Sequence, residues 1–207
     1  MGTTTNNGWP TPVATDLVKD GWEAIKDLGD AIDTTLGVYA PSTSGSTLIN
    51  TTSISAVASQ SISDVFSSTY DNYKILFSGT GSTGENIRIR MRVAGSDDSS
   101  NVYVEQGIQA TSTSINSARS TSTSFGSQYS TGFLSTTFSG GPNIELRNPF
   151  LVQQTTLYGQ GVYDPQSNIR QMFAVASHQS ATSYTGFTFF VATGTMTGSV
   201  SVYGYNK

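Results

Sequence analysis

Past residue 47 the chain shows no further helical period. From Leu48 to Lys207 it runs as short segments in which apolar and polar residues alternate, punctuated by Gly, Pro, Ser and Asn. Alternation at period two sends successive side chains to opposite faces of a strand, so each such strand must bury one face against a second layer. The clearest case is NIRIRMRVAG (86–95), which places Ile87, Ile89, Met91 and Val93 inward and Arg88, Arg90 and Arg92 outward. YKILF (73–77) groups Tyr73, Ile75 and Phe77 in the same way. Further strands are expected around 102–108, 131–138, 143–147, 155–163, 168–177, 186–192 and 198–205, with weaker alternation over 48–57. The low-complexity run TSTSINSARSTSTS (111–124) fits either a long loop or a strand with two polar faces. SDDSSN, GGPN and DPQSN supply the turns. About eight to ten short strands without helices between them indicate an antiparallel β-sandwich, jelly-roll-like, with a trimeric interleaved β structure as the second architecture.

Composition agrees. Ser and Thr outnumber Asp, Glu, Lys and Arg more than twofold, and ten Tyr with ten Phe suffice for a β core. Charged residues make up only 12%, unlike a disordered chain.

The stretch WPTPVATDLVKDGWEAIKDLGDAIDTTLG (9–37) is different. At 3.6 residues per turn, Leu17, Val18, Trp22, Ile25, Leu28, Ile32 and Leu36 form one apolar face. Asp16, Lys19, Asp20, Glu23, Lys26, Asp27, Asp30 and Asp33 form the other. Thr15 or Asp16 suits the N-cap and Gly37 the left-handed C-cap, giving a helix of about 20 residues and roughly 30 Å. Val18, Ile25 and Ile32 recur every seven residues beside Gly21, Leu28 and Thr35, about three imperfect heptads. Gly21 and Gly29 in the stripe predict close approach of another element. Such a helix either packs on its own domain or associates with copies or a partner; alone it is marginal in water. The expected organisation is a tail and attachment helix over 1–39, a flexible joint at 40–47 (APSTSGST) and a β-sandwich over 48–207.

The net charge of −4 divides unevenly. The helical stretch holds six acids and two lysines, leaving eight acids and eight bases elsewhere. Neither part has the basic balance of a nucleic-acid binder. No apolar run approaches membrane-spanning length, and MGTTTNNGWPTP lacks the pattern of a signal peptide, which implies synthesis in the cytoplasm without membrane insertion. The sequence stops at SVSVYGYNK, within or just after the last strand, so attachment is expected through the N-terminal segment.

Catalytic patterns are missing: no G-x-S-x-G, P-loop or H-E-x-x-H occurs. The single His178 has no acid nearby in sequence and is expected to be a packing or surface residue. Most of the acids outside the helix fall in predicted turns, which does not favour the carboxylate pair of a glycosidase. Asp97, Asp98 and Asn101 resemble an oxygen-rich Ca²⁺ turn, but a solvated turn is the simpler expectation, and neither metal nor cofactor is expected. Arg88, Arg90 and Arg92 are either the solvent face of a strand, paired with cross-strand acids such as Glu105, or a row that meets anionic sugars, phosphates or a subunit interface. A neutral body favours local pairing or an interface.

The segment P-x-x-x-D-x-V-K-D-G-W-E-A-I-K-x-L-G-D-A-I-D-x-x-L-G (Pro12–Gly37) resembles one common in bacteriophage tail-fibre and related virion appendage proteins. DVFSSTYDNYKIL (64–76), RVAGSDDSSNVY (92–103), IELRNPF (144–150), SYTGFTF (183–189) and TGSVSVYGY (197–205) resemble the β domain that often follows it. The resemblance implies a homotrimer without catalytic residues, its N-terminal part meeting other virion proteins and its β knob facing outward. A repetitive shaft is absent here, so it implies a short tail fibre or spike that binds host-surface glycan, with a capsid decoration, cement or head-fibre protein as the alternative and a polysaccharide depolymerase as a distant third. Val18, Trp22, Ile25, Leu28, Ile32 and Leu36 are the expected docking residues. The helix is expected to orient and dock while the sandwich holds the oligomer.

Overall fold

In a computed structural model, which describes residues 2–5, 8–11, 13, 20–39, 45–127, 132–137, 139–163 and 170–207, the helical and strand-forming parts of the sequence separate into two units, 1–45 and 46–207. In the first unit the polar leader forms a small antiparallel hairpin, β1 (Gly2–Thr3) with β2 (Pro10–Thr11). Gly8 adopts φ +65° in its turn, and the Thr4 hydroxyl accepts from the Trp9 amide at 3.0 Å. Helix α1 spans Gly21–Tyr39, with Glu23 in its first turn favourably placed against the helix dipole. Lys26 and Asp30 form an exposed i,i+4 pair at 2.5 Å. The helix continues through Gly37, which is therefore not the C-cap. The expected N-cap positions, Thr15 and Asp16, lie outside the described residues.

The second unit is mainly antiparallel β. Its strands are β3 (Ser46–Val57), β4 (Ser59–Ile62), β5 (Asn72–Gly81), β6 (Glu85–Asn86), β7 (Arg88–Val93), β8 (Ser96–Asp97), β9 (Tyr103–Ala110), β10 (Ile115–Ser122), β11 (Phe133–Leu134), β12 (Asn143–Arg147), β13 (Thr155–Tyr163), β14 (Arg170–His178), β15 (Gly186–Phe190) and β16 (Met196–Tyr205). An eight-stranded sheet runs β10-β9-β14-β13-β12-β5-β16-β3, a four-stranded sheet runs β4-β15-β7-β8, and β6 pairs with β11. β3 starts at Ser46, inside the expected joint, and the 111–124 run resolves as strand β10 rather than a loop.

Alternation decides which residues face the interior. Tyr73, Ile75 and Phe77 on β5, Ile144 and Leu146 on β12, and Val200 and Val202 on β16 are all buried from the large sheet. Ile89 and Met91 on β7 and Phe187 and Phe189 on β15 are buried from the small one. All belong to one hydrophobic cluster, and Phe77 meets Phe189 edge-on across the sheets at 6.0 Å between ring centroids. Each fully buried aromatic side chain contributes about 1.5–3 kcal/mol. Tyr103 ties the sheets as well: its hydroxyl accepts from the Met91 amide at 3.0 Å and donates to the Asp98 carbonyl at 2.6 Å. Val93, expected inward, is 37% exposed because the hairpin turn to β8 follows directly.

Candidate assembly and binding faces

The predicted docking stripe on α1 splits in two. The less exposed positions, Ala24, Leu28, Ala31, Ile32 and Thr35, follow one side of the helix, and Trp9 reaches that side by donating its indole N–H to the Thr35 hydroxyl at 3.0 Å. Trp22, Ile25 and Leu36 lie open, at 68%, 67% and 59% exposure. Val18 lies outside the described residues. Gly21 and Gly29 meet open space where a Cβ would stand, so the close approach expected at these glycines is not made by any described part of the chain.

A second apolar face is on the outside of the eight-stranded sheet. Register places Ile108 opposite Phe173, and Val175 between Gln106 and Tyr158, with Glu145 beyond Tyr158 on β12. Ile115, Val175, Ile108, Tyr158, Phe173 and Val162 are 40–74% exposed, although the outer face of a sandwich sheet is ordinarily polar. Ile108, Tyr158, Phe173 and Val175 border a hollow of about 450 Å³, also lined by Gln106, Asn143 and Gln160. Around it the polar groups are engaged: the Arg147 guanidinium lies 4.5 Å from the Tyr158 ring centre, and Tyr205 donates to Glu145 at 3.3 Å. Burial and the neighbouring Glu145 carboxylate raise the Tyr205 pKa. None of these side chains was singled out from sequence. The signal was the run MFAVA (172–176), whose apolar residues occupy both parities: Met172, Ala174 and Ala176 point inward while Phe173 and Val175 point outward.

The three arginines do share the outer face of the four-stranded sheet, with Arg90 opposite Thr188 and Arg88 opposite Phe190. Glu105 is not their partner. It is buried inside the large sheet, where it accepts from the Gly126 amide and the Ser120 hydroxyl at 2.9 Å each. Arg92 instead pairs with Asp97 across the β7–β8 hairpin and bonds the Gly95 carbonyl and Thr188. That hairpin turns on Ala94 and Gly95, both left-handed at φ 50° and 78°. Arg90 donates to the Thr123 carbonyl at 3.1 Å and lies 4.6 Å from the Phe190 ring centre. The Nε of Arg88 is buried and unbonded.

The tertiary fold supplies His178 with an acid that the sequence does not place near it. Asp98 Oδ2 lies 3.1 Å from His178 Nε2 and accepts from the Tyr184 hydroxyl at 2.7 Å. Burial lowers the His178 pKa, against the opposing pull of Asp98. Burial would raise the Asp98 pKa, but hydrogen bonds from Ser100 and Tyr184 outweigh it and hold the carboxyl below its ordinary value. His178 is fully buried with the Tyr103 ring edge-on at 4.3 Å, so the group ties β14 to the turn before β9. Asp97 and Asp98 are thus committed to Arg92, Thr188, Tyr184 and His178, more than the expected solvated turn. No cluster of three or more His, Asp or Glu suited to a metal occurs among the described residues. No described helix is long and apolar enough to cross a membrane.

No family model, curated protein or solved structure matches the chain.

Proposed function

We propose that this chain is a non-enzymatic structural protein of a bacteriophage virion, a short homotrimeric tail fibre or spike whose N-terminal unit meets other virion proteins and whose jelly-roll-like β unit faces the host. The observation that carries this is the pair of uncovered apolar faces, one on α1 (Trp22, Ile25, Leu36) and one outside the eight-stranded sheet (Ile108, Phe173, Val175). Contiguous apolar surface of this kind marks association, and two such faces in one chain suit copies packed together at both levels. The sheet face is the larger holder and the helix orients and docks, since about three imperfect heptads sit at the lower limit for a self-sufficient coiled coil. Light scattering after chromatography at micromolar concentration is expected to give three times the 21.9 kDa chain mass. A monomer would sink the assembly. Electron microscopy of labelled particles would then place the protein at the tail, as proposed, or on the head, as a decoration protein requires.

A further inference from the structure

The two sheets pack inner face to inner face, so their outer faces point in opposite directions. If the large sheet's outer face is covered by copies, the small sheet's outer face is the one turned to solvent; to that extent the inference rests on the proposed assembly. This second face has a different chemistry. Arg88, Arg90 and Arg92 project from β7, with Phe190 and Thr188 beside them on β15 and the exposed Ser59 and Ser61 next on β4.

Only one of the three guanidiniums is neutralised by a carboxylate. Asp97 takes Arg92 and is itself held by Thr188 at 2.7 Å, which fixes that pair as part of the β7–β8 hairpin. Arg90 is oriented by the Thr123 carbonyl and the Phe190 ring, neither of which carries a charge. Arg88 has no hydrogen bond or ion pair among the described residues. Two neighbouring positive charges on one strand, one pre-oriented by an aromatic ring, have no carboxylate partner among the described residues. A planar guanidinium meets a carboxylate or sulfate through paired N–H donors, and flanking serine hydroxyls suit the ring hydroxyls of a sugar.

We infer that the Arg88–Arg90 pair on the outer face of the four-stranded sheet is a binding site for an acidic glycan, one bearing carboxylate or sulfate groups. Arg92 is excluded from the ligand set, since it is already engaged within the hairpin.

Titration calorimetry of the full chain with 6′-sialyllactose and with a sulfated heparin disaccharide, against lactose as the neutral control, tests this. At least one acidic probe should bind, more weakly as salt rises, while lactose does not; the two acidic probes separate carboxylate from sulfate. The Arg88→Gln/Arg90→Gln double variant should lose about tenfold or more in affinity, the scale of one lost charge-assisted hydrogen bond. Its circular dichroism spectrum and its mass by light scattering should match the wild type. Failure of both acidic probes to bind, or equal binding by the double variant, overturns the site while leaving the assembly standing. Loss of the oligomer in the double variant also overturns it, because the arginines would then be an interface. A monomeric wild-type chain that still binds through Arg88 and Arg90 would instead remove the assembly and keep the site.

Discussion

Replacing Ile25 with Asp separates a helix that merely decorates its own unit from one that joins copies. Ile25 is 67% exposed in the single chain, so the substitution removes little burial within unit 1. Surface changes of this sort shift stability by no more than about 0.5 kcal/mol, and Ile and Asp differ little in helix propensity. Within an assembly the numbers change. Full burial of an isoleucine is worth about 1.5–3 kcal/mol, so covering the open two-thirds contributes roughly 1–2 kcal/mol per copy. Trp22 and Leu36, open to a similar degree at 68% and 59%, add comparable amounts. An aspartate there forfeits Ile25's share and sets a carboxylate in each copy against an apolar contact, at a further cost of several kcal/mol per desolvated charge. Circular dichroism of the variant should therefore match the wild type in helix content and melting of the β unit. Light scattering over a micromolar dilution series should show a smaller particle, or dissociation at higher concentration than the wild type. A variant that keeps the wild-type mass and dilution behaviour refutes the role assigned to the helix.

Phe173→Glu with Val175→Glu applies the same logic to the sheet: both side chains point outward, so the monomer should stay folded while the oligomer is lost, as light scattering would show. Tyr103→Phe leaves the Met91 amide and Asp98 carbonyl without their buried partner, and should lower unfolding free energy in urea by about 1–3 kcal/mol; a change below about 0.5 kcal/mol would mean the tie between the sheets is dispensable. Ala94→Asn, at a left-handed turn position, should stabilise by about 0.5–1 kcal/mol, measured by the urea midpoint, and a decrease would contradict the strain assigned to Ala94. Because burial lowers the folded pKa of His178, the unfolded chain takes up the proton first. Stability should therefore be full above the ordinary histidine value of about 6.5 and decline as pH falls below it, and His178→Gln should flatten that slope; an unchanged slope would assign the loss to other groups.

What the sequence determined by itself was whatever depends on local period. Alternation at 73–77 and 86–93 located β5 and β7 and named their buried residues apart from Val93, and the runs 143–147 and 155–163 match β12 and β13 at both ends. The amphipathic pattern located α1, because a helical period is carried by neighbours within two turns. Three matters waited for the tertiary structure. Glu105 was one expected partner of the arginines, but the parity of β9 turns it into the core, whereas the arginines stand on the outer face of the other sheet. His178 acquired Asp98 from 80 positions earlier in the chain, a contact that no local window contains. The outer face of the large sheet draws its apolar residues from β9, β10, β13 and β14, each contributing one or two among polar neighbours. Only strand order and register, set by hydrogen bonding between distant segments, bring them together as one surface.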